Sequence, residues 1–265
     1  MSLRDRLLQA YAALFYIFLF GPIAIVILFT FNDFPYAVFP LRGFTLKWFE
    51  TITTGPLSSH IRRTLWTSVK VAAVTGLIVC ILGTLASFGL VRYRFRARSI
   101  INILVLLPLI VPYILYAVSL LTFYTLFKIH YSMWTIILGH IAVTLPFSIL
   151  MISATLWGFN RKLEEASSDL GANELQTFRR ITFPLIRNGI ISGALIGFLL
   201  SFNEFIIAEF TSGPGSTTLP VYMWGMWWTC ALPELNVIST TIIGIVAILF
   251  IVVVVLLPKR MEFRF

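Results

Sequence analysis

The chain has 265 residues, 58% of them hydrophobic and only 12% charged, with a mean hydropathy of +0.92 and a formal net charge of +9. Soluble domains are nearer half apolar and a quarter charged, so a water-soluble domain is excluded. The apolar excess falls in separate long runs without the strict alternation of a membrane barrel, which predicts an all-α, polytopic membrane protein.

A spanning helix needs about 20 mostly apolar residues, and six such spans are predicted, at 8–31, 64–90, 99–124, 134–157, 188–211 and 236–257. Before the first, Arg4 and Arg6 precede an apolar run from Leu7 to Phe31. That run exceeds the ~7–15 residues of a signal-peptide core and no A-x-A site follows, so it reads as a retained span. Residues 32–63 are rich in Pro, Gly and aromatics and read as an interfacial loop, with Asp33 and Glu50 as solvated charges. The second span carries Cys80 in its middle; Cys230 lies in a later outer loop, so a disulfide between them is geometrically implausible.

The short "RYRFRAR" turn after the second span is an anchor at the inner face. In the third span, "LLPLIVP" places Pro108 and Pro112 four apart, and each removes a backbone donor, so the helix is expected to kink or break. Irregular backbone at that depth is tolerated when buried in protein or lining a cavity; a bent packing helix is the other reading. His140 in the fourth span reads as a packing histidine, without companions at metal-ligand spacing.

The longest charged stretch, "EEASSDLGANELQTFRRITFPLI", occupies 164–186. It predicts a short helix from Leu163 to Leu170 ended by a left-handed Gly171. A second helix, N-capped by Asn173, is expected to run through Phe183 and to end at Pro184. Leu170, Leu175, Phe178, Ile181 and Phe183 give this elbow too much apolar surface to leave wet and too little for a domain, which fits a docking element.

In the fifth span Gly189, Gly193, Gly197 and Ser201 recur every fourth residue, a stripe that admits another helix closely. Glu204 falls on that face and Glu209 is turned away. The stripe is expected to face the space between two permeases. A carboxylate at membrane depth faces the bundle interior or a wet cavity, so Glu204 is read either as a pathway group for a cationic solute or as half of a structural pair with Lys70. The 212–235 loop holds Trp224, Trp227 and Trp228 around Met223 and Met226, suited to interfacial anchoring or to an external partner.

Most of the 20 Lys and Arg residues fall on one side: Arg4, Arg6, Arg92, Arg94, Arg96, Arg98, Arg161, Lys162, Arg179, Arg180, Arg187, Lys259, Arg260 and Arg264. That asymmetry is the positive-inside signal, so both termini are expected in the cytoplasm, and the basic balance reports orientation with no nucleic acid implied.

The pattern E-A-x-x-x-x-G, nine residues, then I-x-x-P, here Glu165, Ala166, Gly171, Ile181 and Pro184, resembles the signature loop of permease subunits of binding-protein-dependent ABC importers. Ser167 replaces the family's second alanine and Phe183 its leucine. Within the family, "FTLKWF" at 44–49 and "SFNEFIIAEFTSGPG" at 201–215 look most like the spermidine/putrescine group. The resemblance implies a single transmembrane permease domain, residues 1–265, in the bacterial inner membrane, with a coupling loop at about 158–187. It further implies ATP-driven alternating access for a small cationic solute such as spermidine or putrescine.

The implied partners are a cytoplasmic ABC ATPase dimer, a second, related permease, an external solute-binding protein and membrane lipid. The ATPase-coupling residues would be Glu165, Ala166, Ser167, Gly171, Ile181 and Pro184. The substrate pathway would involve Glu204, Asn203, Glu209, Pro108 and Pro112. No cofactor or metal is expected on this chain, and ATP and Mg on the partner ATPase. A P-loop needs G-K-[ST], and no lysine here follows a glycine; the chain is therefore expected not to be an enzyme. Another cargo of the same family (iron, thiamine, a phosphonate or another amine), a stand-alone secondary transporter or channel, and a structural scaffold are the alternatives.

Overall fold

The computed structural model describes residues 3–229 and 232–256. Cys230, Lys259, Arg260 and Arg264, which entered the disulfide and charge arguments, lie outside them. The helices are α1 (Leu3–Thr30), α2 (Lys47–Thr54), α3 (Ser58–Arg92), α4 (Arg98–Leu106), α5 (Tyr113–Leu126), α6 (Met133–Trp157), α7 (Lys162–Asp169), α8 (Glu174–Thr177), α9 (Phe183–Asn203), α10 (Ile206–Thr211), α11 (Leu219–Trp228) and α12 (Leu232–Leu256). No strand occurs among the described residues beyond an isolated bridge between Asn32 and Phe44.

α1, α3, α6 and a continuous helix over Glu174–Asn203 are each long and apolar enough to cross a membrane. The third predicted span is broken: Arg98–Leu109 and Tyr113–Leu126 meet at 99°. The two prolines explain the break. Pro108 sits in a 3-10 turn, Leu107–Leu109, and Pro112 caps α5 with ψ 132°, outside the helical region. The fifth span is also broken, which the sequence reading did not foresee: α9 stops at Asn203, Glu204 is extended (ψ 124°), and α10 begins at Ile206. The predicted outer loops hold helices too, α2 in the first and α11 with its exposed tryptophans in the second.

The chain divides into two compact units, Arg63–Tyr222 and the remainder. In the remainder α1 packs on α12, joined where Thr30 Oγ1 meets Thr240 Oγ1 at 2.7 Å. Beyond α1, buried Asn32 accepts the Arg42 backbone N–H (2.9 Å) on its side chain and the Trp48 indole N–H (2.9 Å) on its carbonyl. These bonds fold the 32–48 segment back on itself, and Asp33 pairs with Lys47 there.

The larger unit is built around α6, whose most apolar stretch is 61% buried, against 6% for that of α1. Hydroxyls stitch its helices across apolar contacts, as expected where no water competes. Ser148 donates to the Val79 carbonyl (3.1 Å) and Ser87 to that of Ile149 (3.0 Å). The small-residue stripe of α9 faces these helices of the same unit. A Cβ on Gly189 would lie 2.2 Å from Thr155 Oγ1, one on Gly193 2.8 Å from Ser148 Oγ, and one on Gly197 2.4 Å from Val79 Cγ2. The stripe therefore mediates packing within the chain, which corrects the expectation that it faces a second permease. Gly197→Val should lower thermal stability in detergent by about 1–3 kcal/mol through overpacking, and Val79→Ala should restore part of it; native stability of the single variant would contradict this contact.

Candidate functional site

Two sets of side chains stand out, one in the elbow and one at the break in the fifth span. In the elbow, α7 ends as its sequence dictates. Gly171 takes φ +84°, a conformation disfavoured for residues with a Cβ, and its N–H reaches the Ser168 carbonyl at 2.9 Å. Asn173 and Gln176 then form a capping box: the Asn173 side chain accepts the Gln176 N–H (2.9 Å) and the Gln176 side chain accepts the Asn173 N–H (3.0 Å). Ser167 is buried, and its hydroxyl meets that of Thr177 at 3.0 Å, tying α7 to α8. The serine that replaces the family's alanine thus has a partner of its own.

Pro184 does not end the second helix, contrary to the sequence reading. A π turn at Phe178–Thr182 re-phases the backbone, with the Phe183 N–H bonding the Phe178 carbonyl, so that Pro184 enters at the first turn of α9. There a missing N–H costs little, and the elbow runs into the fifth span without a break.

Glu164 holds the elbow, one position before the residue the signature singles out. Its carboxylate receives a bidentate pair from Arg92 at the end of α3 (Nη2 to Oε1 2.9 Å) and the Thr182 hydroxyl from the π turn. The Arg92 guanidinium also lies 5.0 Å from the Phe159 ring centroid. Burial opposes ionisation of Glu164, but the Arg92 and Thr182 hydrogen bonds, with the Arg92 and Arg161 charges, outweigh it and hold the carboxyl below its usual range. A depressed carboxyl pKa contributes stability that is present above the ordinary carboxylate range and lost as pH falls through the folded value. Glu165 and Ala166 are exposed, as is Pro184, with Ile181 half-buried. Leu170 and Leu175, 89% and 74% exposed, form the apolar tip.

At the other site, Glu204 is 8% exposed and occupies the break between α9 and α10. Its Oε1 accepts the Ile207 N–H (2.9 Å) and its Oε2 the Ala208 N–H (3.0 Å). His140, wholly buried, places Nε2 3.1 Å from Glu204 Oε2, with no hydrogen bond between them. The His140 Nδ1 meets the Ser201 hydroxyl at 2.8 Å. The partner of Glu204 is thus His140, and Lys70, exposed on α3, is not.

Glu204 also lines a cavity of about 400 Å³ with Asn203, Tyr113, Thr144 and apolar neighbours. Pro112, immediately before Tyr113, opens the helix that brings the phenol there. Pro108 is not in that lining, and Glu209 is exposed on α10. The sequence reading missed Tyr113, Thr144, Glu164 and Arg92. Only the place of Tyr113 directly after Pro112 hinted at the first; the others depend on contacts across the fold.

Residues 80–265 match the family model described as the binding-protein-dependent transport system inner membrane component. The chain is 33% identical to the putrescine transport system permease protein PotI of Escherichia coli (strain K12), over 87% of this chain and 83% of that one. It is 29% identical to the spermidine/putrescine transport system permease protein PotC of the same strain, over 86% and 85%. Among solved structures, a bacterial ABC transporter involved in the import of the acidic polysaccharide alginate matches in fold, with a TM-score of 0.68 at 16% identity, over 97% of this chain and 99% of that one.

Proposed function

We propose a cargo and a working mechanism for a chain that belongs to the family of inner membrane components of binding-protein-dependent transport systems. The chain is a multi-pass inner-membrane permease subunit of an ABC importer. The proposed cargo is a polyamine such as putrescine or spermidine, carried inward by alternating access. The similarity to PotI over most of both chains is the observation that carries this reading. The chemistry of the cavity agrees with it. A buried carboxylate, a phenol and an amide converge there, and an ammonium group is suited by a carboxylate and by an aromatic face.

Within this reading each elbow residue has a task. The exposed Leu170 and Leu175 seat the elbow in a groove of a cytoplasmic ATPase, and Glu165, with Ala166 beside it, is free to meet that partner. Ser167, Gly171, Ile181 and Pro184 hold the shape, and Glu164 and Arg92 carry elbow motion to α3. The helix continuous from Glu174 to Asn203 carries the same motion to Glu204. ATP and Mg²⁺ belong to the ATPase; this chain supplies binding and movement. A second, related permease completes the pathway, an external binding protein delivers the cargo, and residues 1–265 act as one permease domain with both termini cytoplasmic.

The orientation is testable by itself. Asn173→Cys should react with an impermeant thiol reagent from the cytoplasmic side only, and Pro214→Cys from the outside only. Both positions are exposed, whereas Ser216 between Gly213 and Thr218 is buried and unsuited to the test. Labelling of Asn173→Cys from outside would overturn the orientation and the coupling role together. Purification of the chain with an ATP-hydrolysing partner, lost on Leu170→Asp/Leu175→Asp, tests the docking; unchanged association would overturn it.

A further inference from the structure

We propose that the pocket between the adjoining ends of α3, α4 and α6 holds the headgroup of an anionic phospholipid. The pocket has a volume of about 200 Å³ and is lined by Arg98, Asn102, Ser153 and Trp157 with apolar walls that include Leu106 and Ile149. The Nε of Arg98 is buried and has no hydrogen-bond partner. A buried guanidinium donor left without an acceptor is rare, and such an orphan points to a group that completes it. Asn102 lies one turn along α4 from Arg98 and lines the same pocket.

Position selects a lipid over a free anion. α3 ends at Arg92, α4 begins at Arg98 and α6 ends at Trp157, so the pocket sits where three spans leave the apolar layer. Lipid phosphates lie at that level, and the exposed Trp157 suits it as well. The two non-bridging oxygens of a phosphodiester match the N–H fork of a guanidinium, and the apolar walls suit the first methylenes of acyl chains. Charge selects an anionic lipid over a zwitterionic one. The α3–α4 turn adds exposed Arg94 and Arg96, which attract a net negative headgroup and repel a choline or ethanolamine cation. Among the described residues no carboxylate lines the pocket, and Glu164 of the elbow is paired with Arg92.

The proposal rests on the orientation given above only for the leaflet, and its test does not involve cargo. The full-length chain is reconstituted in nanodiscs of phosphatidylcholine with a minor share of phosphatidylglycerol, and retained lipid is counted by native mass spectrometry. Phosphatidylglycerol should be retained over phosphatidylcholine. Arg98→Gln should lower that retention by about fivefold, the scale of one basic side chain near an anionic surface, while Arg96→Gln changes it less than twofold. Arg98→Lys keeps the charge, lacks the buried Nε–H, and should lose retention too; it also serves if Arg98→Gln does not fold. Undiminished retention in Arg98→Gln or Arg98→Lys would overturn the proposal. So would an equal loss in Arg96→Gln, which marks diffuse attraction, or displacement of the lipid by inorganic phosphate alone, which marks a free-anion site.

Discussion

Glu204→Gln is expected to slow uptake of a cationic cargo by about tenfold or more while the importer still assembles. Glutamine preserves the shape, but its amide nitrogen is a donor. In the native protein both carboxylate oxygens accept backbone N–H groups, from Ile207 and Ala208. With glutamine one of those donors faces another donor and is left unsatisfied, and the charge that meets His140 and the cavity is gone. A hydrogen bond to a charged group contributes on the order of 1.5–3 kcal/mol, which is about tenfold to a hundredfold in rate if the cargo ammonium takes part in it. A purely structural carboxylate gives another pattern: thermal stability falls and uptake per folded molecule does not. His140→Asn in the same background separates the cases, because removing the imidazole that faces the new amide would restore stability but not uptake. Lys70→Met should rescue nothing. Normal uptake by a folded Glu204→Gln protein would remove Glu204 from the pathway.

The second large effect is expected at Glu164. Glu164→Lys sets a cation against Arg92 and Arg161 and releases the Thr182 hydroxyl, so α3, the elbow and the π turn lose their common anchor. Removing one partner of a buried pair costs about 3–5 kcal/mol; the partial exposure here, 11% and 22% for the two side chains, discounts this to about 1–3 kcal/mol. The chain should remain in the membrane and transport fall at least tenfold, with cargo-stimulated ATP hydrolysis lost. The reciprocal exchange, Glu164→Arg with Arg92→Glu, should recover part of both. Acid should mimic the lesion: because the Glu164 carboxyl is held below its usual range, the clamp persists at neutral pH and weakens only as pH falls through that lowered value. Native transport by Glu164→Lys would show that the elbow acts without this anchor.

What the sequence revealed and what it concealed follow from the range of the forces involved. Of the six predicted spans, four, and the bent pair as a fifth, appear among the described residues as helices long and apolar enough to cross. They were legible because a bilayer demands about 20 apolar residues wherever they occur. The elbow caps were legible because each is local: Gly171 supplies its own positive φ, and Asn173 finds Gln176 three residues on. The break at Pro108 and Pro112 was legible because proline carries its effect with it. Pro184 misled for a related reason, since a π turn can absorb a proline and nothing in the composition of residues 178–182 announces one. The break at Glu204 was concealed because no glycine or proline marks it; the carboxylate itself replaces the lost helical partners of Ile207 and Ala208. Glu164 was overlooked in favour of Glu165, since its partner Arg92 lies 72 residues away. The stripe of α9 correctly signalled close approach, but a stripe cannot name the helix that approaches.

The most direct test of the account is uptake of radiolabelled putrescine by proteoliposomes that contain the full chain with its second permease, its ATPases and the external binding protein. A polyamine importer should show accumulation that requires ATP at the elbow side, requires the binding protein outside, and is competed by spermidine. Accumulation that continues without nucleotide, or a complex that hydrolyses ATP in response to some other solute while leaving putrescine outside, would contradict it.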